Sequence, residues 1–165
     1  MIIISKKDSL PVYGVGPYLI APMFVVSIMG VILSYYNMIP VYKIDSLYWL
    51  FIGLAVVILL DAIFLWYAAV KISDISKNIE NNKLVSDGVY ALVRHPIYSA
   101  WLQISTALIL FSQNLYLFII PVIFWIILSI ALAKTEEKWL IEKFGDDYVS
   151  YAKTTNRFIP FSRLR

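Results

Sequence analysis

Three long stretches of this chain carry almost no charge, and they restrict its fold more than any other feature. No charged residue occurs in 9–42 or in 96–133, and Asp61 is the single one in 46–70. A helix needs about 20 apolar residues to cross the hydrocarbon core of a bilayer, which is roughly 30 Å thick. The stretch 96–133 is nearly twice that length, so it must fold back. Its one polar cluster, Ser112-Gln113-Asn114, marks the turn.

These stretches predict an all-α integral membrane protein that forms a single domain over 1–165. Its four membrane helices are expected at about 18–38, 47–70, 97–111 and 115–133. The last two form a tight hairpin, and the third is short for a full crossing. The connection 71–96 and the tail 134–165 are polar, and the tail reads as amphipathic helix. Hydrophobic residues make up 61% of the chain, too many for a small soluble domain to bury.

The basic residues fall almost entirely on one side of this arrangement. With four crossings, both termini and the connection 71–96 share a side, and that side carries 13 of the 14 lysines and arginines. The other side carries only Lys43. The positive-inside rule therefore places both termini, and any site among these segments, in the cytoplasm. Because the charges are spread over a membrane face, anionic lipid is expected as their partner rather than nucleic acid.

Several kinds of site are excluded by composition. The chain has no cysteine and one histidine, so disulfides, thiolate chemistry and Cys- or His-rich metal sites are absent, and no metal is expected. Gly14-x-Gly16 is followed by Pro17 and no strand, so it is not a nucleotide-binding loop. Asp61 is an acid inside a membrane run. It indicates a functional site, a position near a helix end, or a polar partner within the bundle.

Polar motifs cluster near the predicted helix ends. They are the segment 84–98 with Arg94-His95-Pro96, the pair Glu136-Glu137, and the stretch 144–151 with a terminal Arg157-Phe158-Ile159-Pro160. A purely structural interpretation is available: Arg94 as one more topological charge, proline at a helix start, and solvated glutamates. A chemical interpretation is also available, because carboxylates bind ammonium or hydroxyl groups and an arginine fork matches a carboxylate.

The joint pattern favours chemistry. Its parts, in chain order, are Gly88-x-Tyr90-x-x-x-Arg94-His95-Pro96-x-Tyr98, a membrane hairpin, Glu136-Glu137-x-x-Leu140-x-x-x-Phe144-Gly145-x-x-Tyr148-x-x-Tyr151, and Ile159-Pro160. Over about the last 80 residues this resembles the isoprenylcysteine carboxyl methyltransferase family, and phospholipid N-methyltransferases share a similar His-Pro and Glu-Glu core. Two positions depart from the family pattern: Ala100, where glycine is frequent, and Leu132, where arginine is frequent.

The resemblance implies a membrane methyltransferase that uses S-adenosylmethionine and releases S-adenosylhomocysteine. The expected cofactor-binding residues are Val85, Gly88, Val89, Tyr90, His95, Pro96, Tyr98 and Glu136. In this interpretation Glu136 or Glu137 holds the ammonium or hydroxyl groups of the cofactor, both glutamates are expected beside its polar groups, and His95 bonds its carboxylate. Arg94 and Glu137 are the expected catalytic residues. Arg94 would orient an acceptor carboxylate, and Glu137 would accept a proton from an acceptor amine.

The implied acceptor is a lipid-like small molecule or a prenylated cysteine, and its carboxylate is the group expected to receive the methyl. A phospholipid amine N-methyltransferase is the alternative within the same chemistry. A membrane reductase of the sterol type carries a related His-Pro-x-Tyr element and would bind NADPH instead. A non-enzymatic membrane scaffold or small transporter is the alternative of another class and would bind neither cofactor.

Overall fold

The computed structural model describes residues 14–81 and 83–160, and helices make up most of this part of the chain. Its α-helices are α1 (Gly16–Tyr35), α2 (Tyr48–Tyr67), α3 (Ile75–Glu80), α4 (Val89–Leu92), α5 (Pro96–Ser112), α6 (Ile119–Lys134), α7 (Glu136–Phe144) and α8 (Asp146–Thr154). The predicted all-α membrane fold is confirmed. Lys6, Lys7, Arg163 and Arg165, which entered the charge argument, lie outside the described residues.

Three helical segments are long and apolar enough to cross a membrane. They are Gly16–Tyr35, Asp45–Ile72 and Leu115–Phe144, and a shorter apolar helix runs over Pro96–Ser112. Only 17%, 17% and 22% of the residues in their most apolar windows are buried, so their outer faces are free to contact lipid. The last segment has 30 residues, or about 45 Å of helix, so its charged end beyond Lys134 lies past the hydrocarbon core.

The short helix α5 lies at the centre of the bundle, where it packs against α1, α2 and α6. Its 17 residues give about 25 Å of helix, less than the thickness of the hydrocarbon core. Small buried residues along it, such as Ser99, Ala100, Ser105 and Ala107, let the neighbouring helices approach closely. The longer helices therefore surround α5, and its length is not set by the lipid.

The turn between α5 and α6 lies at the predicted polar cluster. Gln113 adopts a left-handed conformation with φ of 60° and ends α5. Asn114 is fully buried, and its side chain accepts the backbone N–H of Tyr42 and donates to Oγ of Ser34 and to the carbonyl of Pro40. The polar cluster thus forms the turn, and the hydrogen bonds of Asn114 to Ser34, Pro40 and Tyr42, which we call the clasp, also hold the α1–α2 connection in place.

The tail forms two short helices and then returns to the bundle. Gly145, with φ of +54°, separates α7 from α8. Beyond α8, Asn156 makes a parallel β-bridge with Val93, and the Arg94 N–H donates to the Asn156 carbonyl at 2.8 Å. The hydroxyl of Ser99 donates to the Phe158 carbonyl at 3.0 Å. Residues 155–158, which we call the strap, therefore fix the segment that leads into α5.

Candidate active site

A cavity of about 330 Å³ opens where the start of α1, the segment that leads into α5 and the tail helices meet. Its volume falls in the range of small-molecule sites. Four parts of the chain line it: the start of α1, the segment from α3 to the beginning of α5, helix α7, and helix α8. The lining residues are Gly14, Gly16, Pro17, Ile20, Ile75, Lys83, Leu84, Val85, Tyr90, Arg94, His95, Pro96, Ile97, Tyr98, Glu136, Trp139, Leu140, Phe144, Tyr148 and Tyr151.

Glu136 is held at one end of this cavity by the start of α1. Its Oε1 accepts the Val15 N–H at 2.9 Å and the hydroxyl of Tyr98. A carboxylate is favourable there, because the N-terminus of a helix carries a partial positive charge. Oε2 lies 3.8 Å from Nδ1 of His95, which is too far for a hydrogen bond. Within residues 14–81 and 83–160 no hydrogen bond reaches Oε2, so it is available to a bound ligand.

The close approach of α1 to Glu136 requires glycine at position 14. Gly14 has φ of +50°, and a Cβ on it would lie 2.8 Å from Cδ of Glu136 and closer still to Oε1. This role of Gly14 was not expected from the Gly14-x-Gly16 pattern, because glycines at a helix start give no sign of a partner 122 residues further along the chain.

Glu137 lies behind the cavity wall in a buried ion-pair network. Its Oε1 accepts from Nη2 of Arg94 at 2.8 Å and from Nε of Arg157 at 2.8 Å. Its Oε2 accepts from Nη2 of Arg157 at 2.7 Å, so Arg157 binds the carboxylate with both ends of its fork. Nε2 of His95 lies 3.3 Å from Oε1. The network ties the strap, α7 and the start of α5 together.

These contacts decide the charge state of Glu137. Burial acts to raise the pKa of its carboxyl, but hydrogen bonds from His95, Arg157 and Arg94 outweigh burial and hold that pKa far below its usual range. Glu137 is therefore a fixed anion near neutral pH. A group so firmly ionised is a poor proton acceptor, because general bases work best with a pKa near the operating pH.

Arg94 is buried and largely committed to the protein. Its Nη1 donates to the carbonyls of Ala152, at 2.9 Å, and Thr155, and its Nη2 donates to Glu137. The guanidinium thus caps the C-terminal end of α8 while bridging to α7. The expectation that Arg94 orients an acceptor remains a prediction. The geometry gives it a positioning role as well.

The tyrosines of the wall stay neutral. Burial raises the pKa of Tyr148 to about 12 and moves the pKa of Tyr90 and Tyr151 upward as well. The Tyr151 hydroxyl donates to the Tyr90 carbonyl. These rings therefore serve as apolar and π surfaces, and not as bases.

The structure brings most of the predicted site residues to one cavity. Those on its wall are Val85, Tyr90, Arg94, His95, Pro96, Tyr98 and Glu136. Three others are not on the wall: Gly88 starts α4 with φ of +55°, Val89 packs in the core beside Leu65, and Glu137 lies in the ion-pair network. Asp61 is on the exposed face of α2, away from this wall.

The wall suits a ligand such as S-adenosylmethionine. Glu136 offers an acceptor to a cationic or hydroxyl group, while Tyr90, Tyr98 and Trp139 offer faces to a flat ring or a sulfonium. Apart from Lys83, Arg94 and His95, the remaining wall is formed mainly by apolar and aromatic side chains, as small-molecule sites usually are. The residues present therefore fit the cofactor that the sequence motifs imply.

Comparison with known proteins places the chain among methyltransferases. Protein-S-isoprenylcysteine O-methyltransferases of Saccharomyces cerevisiae and Schizosaccharomyces pombe are 36% and 33% identical to it over 88 and 87 residues, and protein-S-isoprenylcysteine O-methyltransferase B of Arabidopsis thaliana is 32% identical over 83. These matches cover 50% to 52% of this chain and 36% to 42% of the relatives' length. A phospholipid methyltransferase family model matches residues 48–147, more than half of the chain, and the segments that carry Arg94-His95-Pro96 and Glu136-Glu137 lie inside that match. By this match the chain belongs to the phospholipid methyltransferase family.

Proposed function

We propose that this chain is an integral membrane methyltransferase that binds S-adenosylmethionine in the 330 Å³ cavity. The observation that carries the proposal is the meeting of Glu136, His95 and the rings of Tyr90 and Tyr98 around one space, all from motif segments of the family. The cofactor supplies an activated methyl group on a sulfonium. The chain's own residues bind it, align the acceptor and exclude water, which is where most of the catalytic effect of a displacement arises.

Glu136 is the residue that holds the polar end of the cofactor in this proposal. Its Oε1 is saturated by the Val15 N–H and the Tyr98 hydroxyl, which fix the carboxylate in place. Its Oε2 is left to accept from an ammonium or a ribose hydroxyl. A charge-assisted hydrogen bond of this kind contributes about 1.5–3 kcal/mol.

A carboxylate acceptor suits the site better than an amine. A carboxylate is already ionised at neutral pH and needs no base, whereas an amine must lose a proton. Glu137, the base expected from sequence, is held as an anion by Arg94 and Arg157. The names of the three relatives support a prenylated cysteine carboxylate as the first acceptor to test. The family description keeps a phospholipid amine as the second.

Lys83 is the cation best placed to meet an anionic group at the cavity. It lines the wall and is exposed, and it makes no ion pair within the described residues. Arg94, also on the wall, has both Nη atoms engaged by Glu137 and by the end of α8, and only its buried Nε has no partner among the described residues. We assign Lys83 to the carboxylate of the acceptor or of the cofactor. Lys83→Gln would raise the KM for the acceptor in the first case and weaken S-adenosylhomocysteine binding in the second.

The cavity is assigned to the cytoplasmic side. The segments around it carry Lys83, Arg94 and most of the other basic residues of the chain. An opening at the membrane surface would admit the cofactor from water and an acceptor with a lipid tail from the bilayer. Labelling of single cysteines introduced at exposed positions 43 and 153 in sealed vesicles would test this sidedness.

The decisive experiment measures cofactor binding and methyl transfer separately. Isothermal titration of S-adenosylhomocysteine into purified protein, with Glu136→Gln beside the wild type, tests the cavity. Transfer from S-adenosylmethionine to S-farnesylcysteine or to phosphatidylethanolamine then identifies the acceptor class. Tight binding of NADPH in place of S-adenosylhomocysteine would favour the reductase, and binding of neither would favour a scaffold or transporter.

A further inference from the structure

Arg157 holds His95 at two points. Its carbonyl accepts the backbone N–H of His95 at 3.1 Å. Its guanidinium binds both oxygens of Glu137, at 2.8 Å and 2.7 Å, and Oε1 of Glu137 lies 3.3 Å from Nε2 of His95. These contacts form a closed ring of interactions, which we call the circuit: the side chain of Arg157 binds Glu137, Glu137 contacts the imidazole of His95, and the backbone of His95 bonds to the carbonyl of Arg157.

The circuit fixes which nitrogen of His95 carries hydrogen. Two guanidiniums surround Glu137, so its carboxylate is ionised and can only accept hydrogen bonds. Nε2 of His95 must therefore donate to it. In a neutral imidazole the other nitrogen then has a lone pair and no hydrogen.

We propose that Arg157 is a positioning residue that, acting through Glu137, locks His95 in the tautomer with hydrogen on Nε2. Nδ1 is then an acceptor, on the same side as Oε2 of Glu136, which lies 3.8 Å away. Two acceptors side by side at the cavity form a receptor for a ligand group that carries several N–H donors. In the proposed function, on which this consequence rests, that group is the ammonium of S-adenosylmethionine.

This arrangement differs from the expectation that His95 bonds the carboxylate of the cofactor. A hydrogen bond to a carboxylate would need hydrogen on Nδ1, and then Nε2 and Glu137 would face each other as two acceptors. The electrostatic cost of that contact exceeds the cost of an acceptor at Nδ1 near Glu136, because Nε2 lies 3.3 Å from Glu137 whereas Nδ1 lies 3.8 Å from Glu136, and Glu137 is the more buried carboxylate. The carboxylate of the cofactor is left for another cation of the wall.

His95 is the only histidine in the chain, so its ring can be observed without interference. Protein labelled with ¹⁵N-histidine, purified in detergent without ligand, gives one pair of ring nitrogen signals. Their couplings to the ring hydrogens distinguish the tautomers. We expect hydrogen on Nε2 and none on Nδ1 at neutral pH. A wild-type spectrum with hydrogen on Nδ1, or on both nitrogens, would overturn the proposal whether or not the protein binds S-adenosylmethionine.

Variants of Arg157 test its part in the lock. Arg157→Gln removes the fork, and Arg157→Lys keeps the charge but not the two-point contact. Lys153→Gln is the matched control, since it removes a positive charge from an exposed position of α8. We expect the two Arg157 variants to show signals averaged between tautomers and S-adenosylhomocysteine affinity about 3- to 10-fold weaker, because the tautomer that accepts at Nδ1 then makes up only a fraction of the population, while the control matches the wild type.

A merely structural role for Arg157 gives a different result. Both variants would then melt at lower temperature while the His95 signals and the affinity stayed unchanged, which would refute the positioning role. Where Arg157→Gln does not fold, Arg157→Lys and the wild-type spectrum carry the test. A protein that shows the Nε2 tautomer but binds no S-adenosylhomocysteine would retain the lock and reject the proposed function.

Discussion

Replacing Gly14 by alanine should damage the site as well as the fold. The added Cβ would overlap the carboxylate of Glu136, which is the far end of a flexible side chain. The overlap is relieved when that side chain swings away from α1. Glu136 then loses the Val15 N–H and the Tyr98 hydroxyl, and its Oε2 no longer faces the cavity.

The magnitudes follow from these contacts. Alanine at φ of +50° costs about 1–2 kcal/mol of folding free energy through backbone strain. Loss of one charged hydrogen bond to the ligand costs about 1.5–3 kcal/mol, which weakens S-adenosylhomocysteine binding roughly 10- to 150-fold. Because Glu136 also loses its hydrogen bonds with Val15 and Tyr98, Gly14→Ala should bind more weakly and should also melt below a variant that carries the backbone strain alone.

Two other glycines supply matched controls. Gly145 has φ of +54° with open space around it, so Gly145→Ala adds backbone strain without a new contact. Gly53 lies inside α2 with nothing near it, so Gly53→Ala should stabilise the helix by up to about 1 kcal/mol. Isothermal titration of S-adenosylhomocysteine and thermal unfolding of the three variants separate the effect of backbone strain from the effect of displacing the Glu136 side chain. If Gly14→Ala bound S-adenosylhomocysteine as tightly as Gly145→Ala, the placement of Glu136 against α1 would be refuted.

Three further predictions concern the ion pairs and the clasp. Arg94→Lys should lower the melting temperature, because lysine cannot bind the end of α8 and Glu137 at the same time. The same variant should also reduce turnover. Full stability and full activity in this variant would leave Arg94 without a role. Because the pKa of Glu137 is depressed in the folded state, its stabilising effect is present above the unfolded value near 4.5 and is lost as pH falls through and below it. Acid titration of the melting temperature should therefore be steeper for the wild type than for Glu137→Gln, and equal slopes would contradict the depressed pKa. Asn114→Ala should cost about 1–3 kcal/mol of stability by leaving buried partners unpaired, with S-adenosylhomocysteine affinity unchanged, and a loss of affinity would show that the clasp reaches the cavity.

The helical framework could be predicted because it depends on one local property. Apolar length without charge located the helices that begin at Gly16 and Tyr48, and the polar cluster located the end of α5 at Ser112. The same reasoning could not show that α5 is central, since that follows from how the other helices surround it.

The candidate site was only partly accessible to sequence reasoning. Motif residues such as His95 and Glu136 were found because the family pattern lists them together. Gly14 and Arg157 act through contacts with residues 122 and 20 positions away, and no spacing rule connects them. The engagement of Arg94 by the end of α8 is a tertiary effect of the same kind.

Part of the candidate site lies outside the residues that the family model matches. The family model matches residues 48–147. Gly14, which closely approaches Glu136, precedes this range, and Arg157, which binds the carboxylate of Glu137, follows it. A fragment trimmed to 48–147 would therefore keep Arg94-His95-Pro96 and Glu136-Glu137 and lose groups that orient them. During synthesis, too, the site would stay open until residue 158 had emerged from the ribosome, so catalytic competence would come late, after the membrane helices had already been inserted.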